Sequence, residues 1–202
     1  MVSGYVQNGQ SEEALKLFRE MQLAGLKPDS YTISSIIPSC VCLTALRQGK
    51  EIHNYMIRTE LDANVLAVNS VIDMYAKCGS MLTARQVFDK LSERDAISWN
   101  AMIAAYSLHG CGQDSILLFS KMHQAGLKPD SITFIGILSA CSRAGLVNEG
   151  WQYFEQMMNC YQIMPSVEHC ACIVDLPGCA GHLDEAQSFV KKMTLEPDAC
   201  VW

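Results

Sequence analysis

The segment Ala24-Gly25-Leu26-Lys27-Pro28-Asp29-Ser30 recurs letter for letter as Ala125-Gly126-Leu127-Lys128-Pro129-Asp130-Ser131, 101 residues later. The same offset pairs Tyr5 with Tyr106, Gly9 with Gly110, Phe18 with Phe119, Met21 with Met122, Cys40 with Cys141 and Gly49 with Gly150. Repetition at one spacing along a chain is the signature of a repeat architecture, so it decides the fold class before local propensities are weighed. Within that spacing, Tyr5, Cys40, Tyr75 and Tyr106 fall at matching places, in steps of 35, 35 and 31. Cys141 and Pro177 continue the series in steps of 35 and 36.

Each unit reads as two helices. Val65, Val68, Val71, Ile72 and Tyr75 make one apolar stripe at helical spacing. Cys78-Gly79-Ser80 breaks it, Gly79 being suited to a left-handed helix end. A second stripe runs through Leu82, Val87, Phe88 and Leu91. In the longer units Gly25 or Gly126 ends the second helix, and Pro28 or Pro129 forces the preceding lysine out of helical geometry. Asp29, Asp95, Asp130 and Asp198 then stand where an N-cap of the next helix is needed. No strand-like alternation persists. The expected architecture is an all-α solenoid of helical hairpins, each covering its neighbour's apolar face.

Composition narrows the function. The chain of 202 residues is half hydrophobic, which excludes disorder. Its 15 Lys plus Arg against 21 Asp plus Glu give a net charge of −6. That opposes a generic nucleic-acid binder, whose affinity rests on neutralising phosphates, but not one that reads bases singly. No apolar run is long enough to span a membrane. Ten cysteines could form a disulfide framework, yet Cys40 and Cys141 share one position beside small residues, Ser39 and Ala140. A tight helix contact in a reduced compartment is the better reading. The methionines, like Tyr5, Tyr75 and Tyr106, are expected to pack between helices. His169, Cys170, Cys172, Cys179 and His182 have zinc-ligand chemistry, but Cys170 and Cys172 point about 200° apart on a helix. No metal or other cofactor is expected.

The motifs resemble the pentatricopeptide repeat family, and within it the plant subclass that alternates long (L), short (S) and standard (P) repeats. The S signature is Asn69-Ser-Val-Ile-Asp-Met-Tyr-Ala-Lys-Cys-Gly-Ser80 with Ala84-Arg-Gln-Val-Phe88. The P signature runs from Ser98-Trp-Asn-Ala-Met-Ile103 to Lys128-Pro-Asp130. The L signatures are Gln48-Gly-Lys-Glu-Ile-His53 and Leu138-Ser-Ala-Cys-Ser-Arg-Ala-Gly-Leu-Val147. The rival helical hairpin, the tetratricopeptide repeat, lacks support: its Trp-x-x-Leu-Gly-x-x-Tyr pattern is absent and its constant period does not fit. The resemblance divides the chain into a partial P repeat (1–29), an L repeat (30–64), an S repeat (65–95), a P repeat (96–130) and an L repeat (131–166). A degenerate S repeat (167–198) and the start of a C-terminal extension motif (199–202) follow. It implies a right-handed superhelix of helix-turn-helix repeats.

It also implies single-stranded organellar RNA as the partner, read about one base per repeat. In the family, the fifth residue of the first helix and the last residue of the repeat read the base edge. The second residue helps to sandwich the base. Carried onto this chain, the reading pairs are Ser34/Asn64, Asn69/Asp95, Asn100/Asp130, Ile135/Ser166 and Ala171/Asp198, with Asp29 left from the partial repeat. The sandwich residues are Tyr31, Leu66, Ile97 and Ile132, with Glu168 in the degenerate repeat. Asn/Asp pairs favour uracil, then cytosine, since an amide both donates and accepts. Ser/Asn leans to adenine, and Ile135 offers no polar edge. The expected core is adenine–pyrimidine–pyrimidine. By residue type alone, Asn69 and Asn100 would be ordinary helix-start polar residues.

Relatives with this motif order often end in a cytidine-deaminase-like domain. Its His-x-Glu and Cys-x-x-Cys patterns are absent, so the chain is read as a non-enzyme, with editing factors or a deaminase-bearing protein acting in trans. The resemblance places it in the mitochondrion or chloroplast. A protein-interaction scaffold without RNA binding is the alternative. Met1 aligns with Met102, inside a repeat, and Trp202 lies just inside the extension region, so the chain reads as a fragment with a tendency to self-associate. Pro177 should kink or break its helix near residues 175–177.

Overall fold

The computed structural model describes residues 1–179. These residues form α1 (Val2–Gln7), α2 (Ser11–Leu23), α3 (Ser30–Cys42), α4 (Leu46–Arg58), α5 (Val65–Lys77), α6 (Met81–Lys90), α7 (Ala96–Leu108), α8 (Gly112–Gln124), α9 (Ser131–Ala144), α10 (Val147–Asn159) and α11 (Val167–Cys179). One 3-10 turn, Leu61–Ala63, precedes α5. No strand occurs among the described residues. The chain falls into two compact units, one running to Met102 and the other starting at Ile103, so that α7 enters both.

The hairpin turns explain the periodicity. The carbonyls of Tyr5, Cys40, Tyr75, Tyr106 and Cys141 each accept an N–H from five residues on: Gln10 at 2.9 Å, Ala45 at 2.7 Å, Ser80 at 2.7 Å, Cys111 at 2.9 Å and Leu146 at 2.9 Å. This six-to-one bond closes a helix end when the residue before the donor is left-handed. Gly9, Gly79, Gly110 and Gly145 fill that position with φ of 73°, 81°, 70° and 68°. The fifth turn uses Thr44, at φ 49°. A β-branched residue there is strained by about 1–2 kcal/mol. Thr44→Gly should therefore raise stability by about 1 kcal/mol in urea denaturation, with the cost of glycine's freedom in the unfolded chain already subtracted.

In the first unit α3 packs on α1 and α5. Ile33, Ile36 and Ile37 of α3 meet the layer of Val71, Ile72 and Met74 from α5, all of them buried. In the second unit α9 packs on α8, α10 and α11, around Phe134, Ile137, Leu138, Phe119, Met157 and Ile173. Close approach is bought by small residues. A Cβ on Gly49 would lie 2.5 Å from Met74 Sδ, and one on Gly150 would overlap Leu176 of α11. Cys40 and Cys141 are wholly buried beside Ser39 and Ala140. Burial pushes both thiols up to about 12, so they behave as small apolar groups rather than nucleophiles. The eight cysteines whose side chains are described form no disulfide.

Three local expectations need correction. Leu82 is 83% exposed, and Ala84 takes its place in the second stripe of the 65–95 segment. The apolar stripe of α6 is thus Ala84, Val87 and Phe88. The methionines divide: Met56, Met74, Met102, Met122 and Met157 are buried, whereas Met1 and Met164 are exposed. Of the kink or break expected near residues 175–177, the break is absent, because α11 continues through them to Cys179. Pro38 is likewise accommodated within α3. A proline forfeits one backbone bond, which neighbouring packing offsets, rather than necessarily ending the helix.

Candidate nucleic-acid interface

The second residues of four successive first helices are Tyr31, Leu66, Ile97 and Ile132. They are exposed by 65%, 58%, 58% and 64%. Residues two and five places further on, Ile33 and Ile36 after Tyr31 and Phe134 and Ile137 after Ile132, are buried. A large apolar side chain kept in water at the same place in four successive hairpins is not explained by the core. In the degenerate segment Glu168, also exposed, holds this position.

The caps sit beside these side chains. Asp29 accepts from the Thr32 backbone N–H at 2.8 Å and its hydroxyl at 2.6 Å. The hydroxyl bond first, then the backbone bond, holds the exposed Asp29 carboxyl below its usual range. Asp130 and Thr133 form a full capping box. Asp95 Oδ1 accepts from the Ser98 N–H and hydroxyl, both at 2.8 Å. The Asp-x-x-Thr/Ser spacing at residues 29, 95 and 130 was legible in the sequence as a capping signal, and its Thr or Ser fixes each carboxylate. Asn64 is a further cap, accepting from Ala67 N–H at 3.1 Å.

Among the proposed reading pairs, Asn69 and Asp95 are brought together. Asn69 is 6% exposed, and its Nδ2 lies 3.5 Å from Asp95 Oδ1. Its Oδ1 is buried without a partner. Desolvation raises the Asp95 carboxyl, but the Ser98 bonds and the Asn69 amide together outweigh it and keep the group below its usual value. Asp95 therefore remains an acceptor at neutral pH, held in place from two sides.

The Ser34/Asn64 pair is arranged differently. Ser34 returns its hydroxyl to its own helix, to Ser30 O at 3.0 Å and Tyr31 O at 3.1 Å, and makes no bond to Asn64. Asn100 is half-buried on α7 and Asp130 is exposed at the start of α9. Ile135 and Ala171 are half-buried on α9 and α11. Asp198 lies outside the described residues. Ser166 is engaged by its neighbours: its hydroxyl lies 2.6 Å from Glu168 Oε2 and 2.7 Å from His169 Nδ1.

His169 has a structural task that the sequence did not disclose. Its Nδ1 accepts the Ser166 N–H at 3.0 Å, which places the ring proton on Nε2 for donation to Ser131 O at 2.9 Å. The buried ring thus ties the start of α11 to the start of α9. Burial lowers its basicity, opposed by the Ser131 carbonyl and by Glu168. No group of three His, Cys, Asp or Glu side chains among the described residues could hold a metal. The Cys179 side chain and His182 lie outside them. No described helix is long and apolar enough to cross a membrane.

Helical hairpins in tandem, four of them in succession opening on a capped helix with one exposed apolar residue, define a repeat protein of the α-solenoid class. Residues 1–42 and 94–143 match the PPR repeat family, and residues 67–95 and 132–161 match the PPR repeat. The chain belongs to the pentatricopeptide repeat family. It is 42% identical to the pentatricopeptide repeat-containing protein DOT4, chloroplastic, of Arabidopsis thaliana, covering all of this chain and 23% of that protein. It is 40% identical to At3g53360, mitochondrial, of the same plant, again over its whole length and 26% of the relative. The chain therefore spans about a quarter of the length of these relatives. Among solved structures, PPR10 in complex with an 18-nt psaJ RNA element superposes with a TM-score of 0.75 at 22% identity, over 89% of this chain and 26% of that one. Nuclear proteinaceous RNase P 2 of A. thaliana gives a TM-score of 0.63 at 15% identity, over 87% and 40%. These likenesses establish the fold.

Proposed function

We propose that this chain is a base-reading segment for single-stranded RNA in organelle RNA metabolism, recognising a site for C-to-U editing or transcript processing while a partner in trans supplies the chemistry. The observation that carries the reading is the recurrent exposure of Tyr31, Leu66, Ile97 and Ile132 beside capped, oriented carboxylates and amides. An exposed apolar side chain gives a base a surface to stack on, worth about 1–3 kcal/mol per base. The amide–carboxylate pair Asn69/Asp95 then offers both a donor and acceptors to a pyrimidine edge. Asn100/Asp130 repeats the chemistry, and Ser34/Asn64 supplies the weaker adenine preference. Relatives named as chloroplastic and mitochondrial, and the RNA carried by the PPR10 structure, support the organellar RNA assignment.

The degenerate segment fits this role less well. Glu168 would present a carboxylate where a base should stack, and Ile135/Ser166 and Ala171/Asp198 carry no clear preference. Affinity therefore rests on the earlier pairs, and with a net charge of −6 the chain adds little phosphate attraction. Fluorescence anisotropy with short RNAs tests the reading. An oligomer with an adenine–uracil–uracil core should bind at least tenfold more tightly than one with purines at the two pyrimidine positions. Equal affinity for both would overturn it.

A further inference from the structure

Between α2 and α4 of the first unit lies an open cleft of about 650 Å³. Phe18, Ile52 and Tyr55 line its apolar part, and Lys16, Arg19, Arg47 and Arg58 line it with positive charge. Glu51 is its one acidic lining residue, and it pairs with Arg47 at 3.3 Å. Lys16, Arg19, Arg47 and Arg58 are all exposed, so none is needed to fill the core. None of the proposed base-reading residues lines the cleft. In a chain of net charge −6 such a local excess of cations is unexpected.

The internal repeat supplies a control. At the 101-residue offset Phe18 is matched by Phe119, and the turn bond from Gln10 N–H to Tyr5 O recurs from Cys111 N–H to Tyr106 O. The four cations are matched by Leu117, Ser120, Asn148 and Asn159. A smaller cleft of about 280 Å³, lined by Phe119, Tyr153 and Tyr161, exists there, with His123 as its one basic side chain. A third cleft, between α4 and α6, is lined by one cation, Lys90, and one carboxylate, Asp62. The fold thus makes such clefts with or without cations. The charge of the first one answers to something other than folding.

We propose that the α2–α4 cleft is a docking site for an acidic segment of a partner protein. Both helices have 13 residues, so the cleft flank is about 20 Å long and suits a helical segment of roughly a dozen residues. Complementary charge steers such a segment in, and the aromatic floor holds its apolar side chains. An RNA strand is the poorer occupant. A phosphate track needs positive charge that continues along the chain, and here it is confined to one inter-hairpin space.

The probe is a fluorescein-labelled twelve-residue peptide of glutamate interrupted by two leucines, titrated against the whole chain. Binding should weaken as salt is raised. Arg19→Glu with Arg58→Glu should reduce it at least tenfold, and the milder Arg19→Gln with Arg58→Gln should reduce it by less. Lys90→Glu with Lys121→Glu imposes the same charge change elsewhere and should have little effect. All six substitutions are at exposed positions, and circular dichroism verifies that the helices are retained. Equal losses in both charge-reversed pairs would reduce the effect to net charge and overturn the proposal. So would peptide binding that ignores the Arg19 and Arg58 changes, or a loss confined to the binding of a uridine oligomer.

Discussion

Asn69→Ala is expected to weaken binding of a pyrimidine-containing RNA by about 10- to 150-fold while leaving thermal stability unchanged or slightly higher. The two effects part because the amide is poorly provided for in the free protein. Its Nδ2 reaches Asp95 only at 3.5 Å, and its Oδ1 is buried without a partner. An unsatisfied buried polar atom costs about 1–3 kcal/mol, which offsets the packing lost when the side chain is shortened. On RNA the same amide would give and take hydrogen bonds beside an ionised carboxylate, worth about 1.5–3 kcal/mol. Anisotropy titration gives the first quantity and a circular dichroism melt the second. Intact RNA binding by a normally folded Asn69→Ala protein would remove Asn69 from the reading role. A melt lowered by several degrees would make it a structural residue.

The periodic part of the fold was legible because it rests on residues with few substitutes. The left-handed turn at Gly9, Gly79, Gly110 and Gly145 favours glycine, and the exposed helix starts favour Asp followed by Thr or Ser. Those letters recur wherever the geometry recurs. Thr44 shows the limit, since its turn is held by the same Ala45-to-Cys40 bond without the glycine that would announce it. Leu82 shows another: the helical stripe was correct in period but placed its first member on the wrong side, because Ala84 fits the close contact better.

The site was legible in its components and not in its contacts. Residue type and position mark Asn69 and Asp95, but only the packing of α5 against the segment leading into α7 brings them within reach. The imidazole of His169 has metal-ligand chemistry, but the spacing around it argued against a metal and left its task unstated. Its two nitrogens turn out to be engaged by Ser166 and by the carbonyl of Ser131, which lies 38 residues earlier. The cationic cleft has no local motif at all. It exists because two helices separated by a third are brought side by side, so residues on α2 and α4 share one solvent space.

Phe88→Ala should be the most damaging single change to the first unit, costing about 3–5 kcal/mol. The ring is 1% exposed and meets Trp99 edge-on, with centroids 5.1 Å apart and planes at 80°. Little around it can collapse into the void, because Met74, Val71 and Ala84 are themselves buried. The ring also anchors the approach to the reading pair. Arg94 lies 4.9 Å over it while donating to the carbonyls of Phe88 and Asp89, at 3.0 and 2.8 Å. Removing the ring frees Arg94 and loosens the segment that carries Asp95. Urea denaturation should show the midpoint falling, with a melting temperature about 10 °C lower. RNA affinity should fall even at temperatures where the protein remains folded. Phe88→Leu keeps most of the volume and separates the causes: it should recover most of the stability but not the cation–aromatic hold on Arg94, so RNA binding should recover less than folding does. Full recovery of both in Phe88→Leu would show that packing alone, and not the Arg94 anchor, positions Asp95.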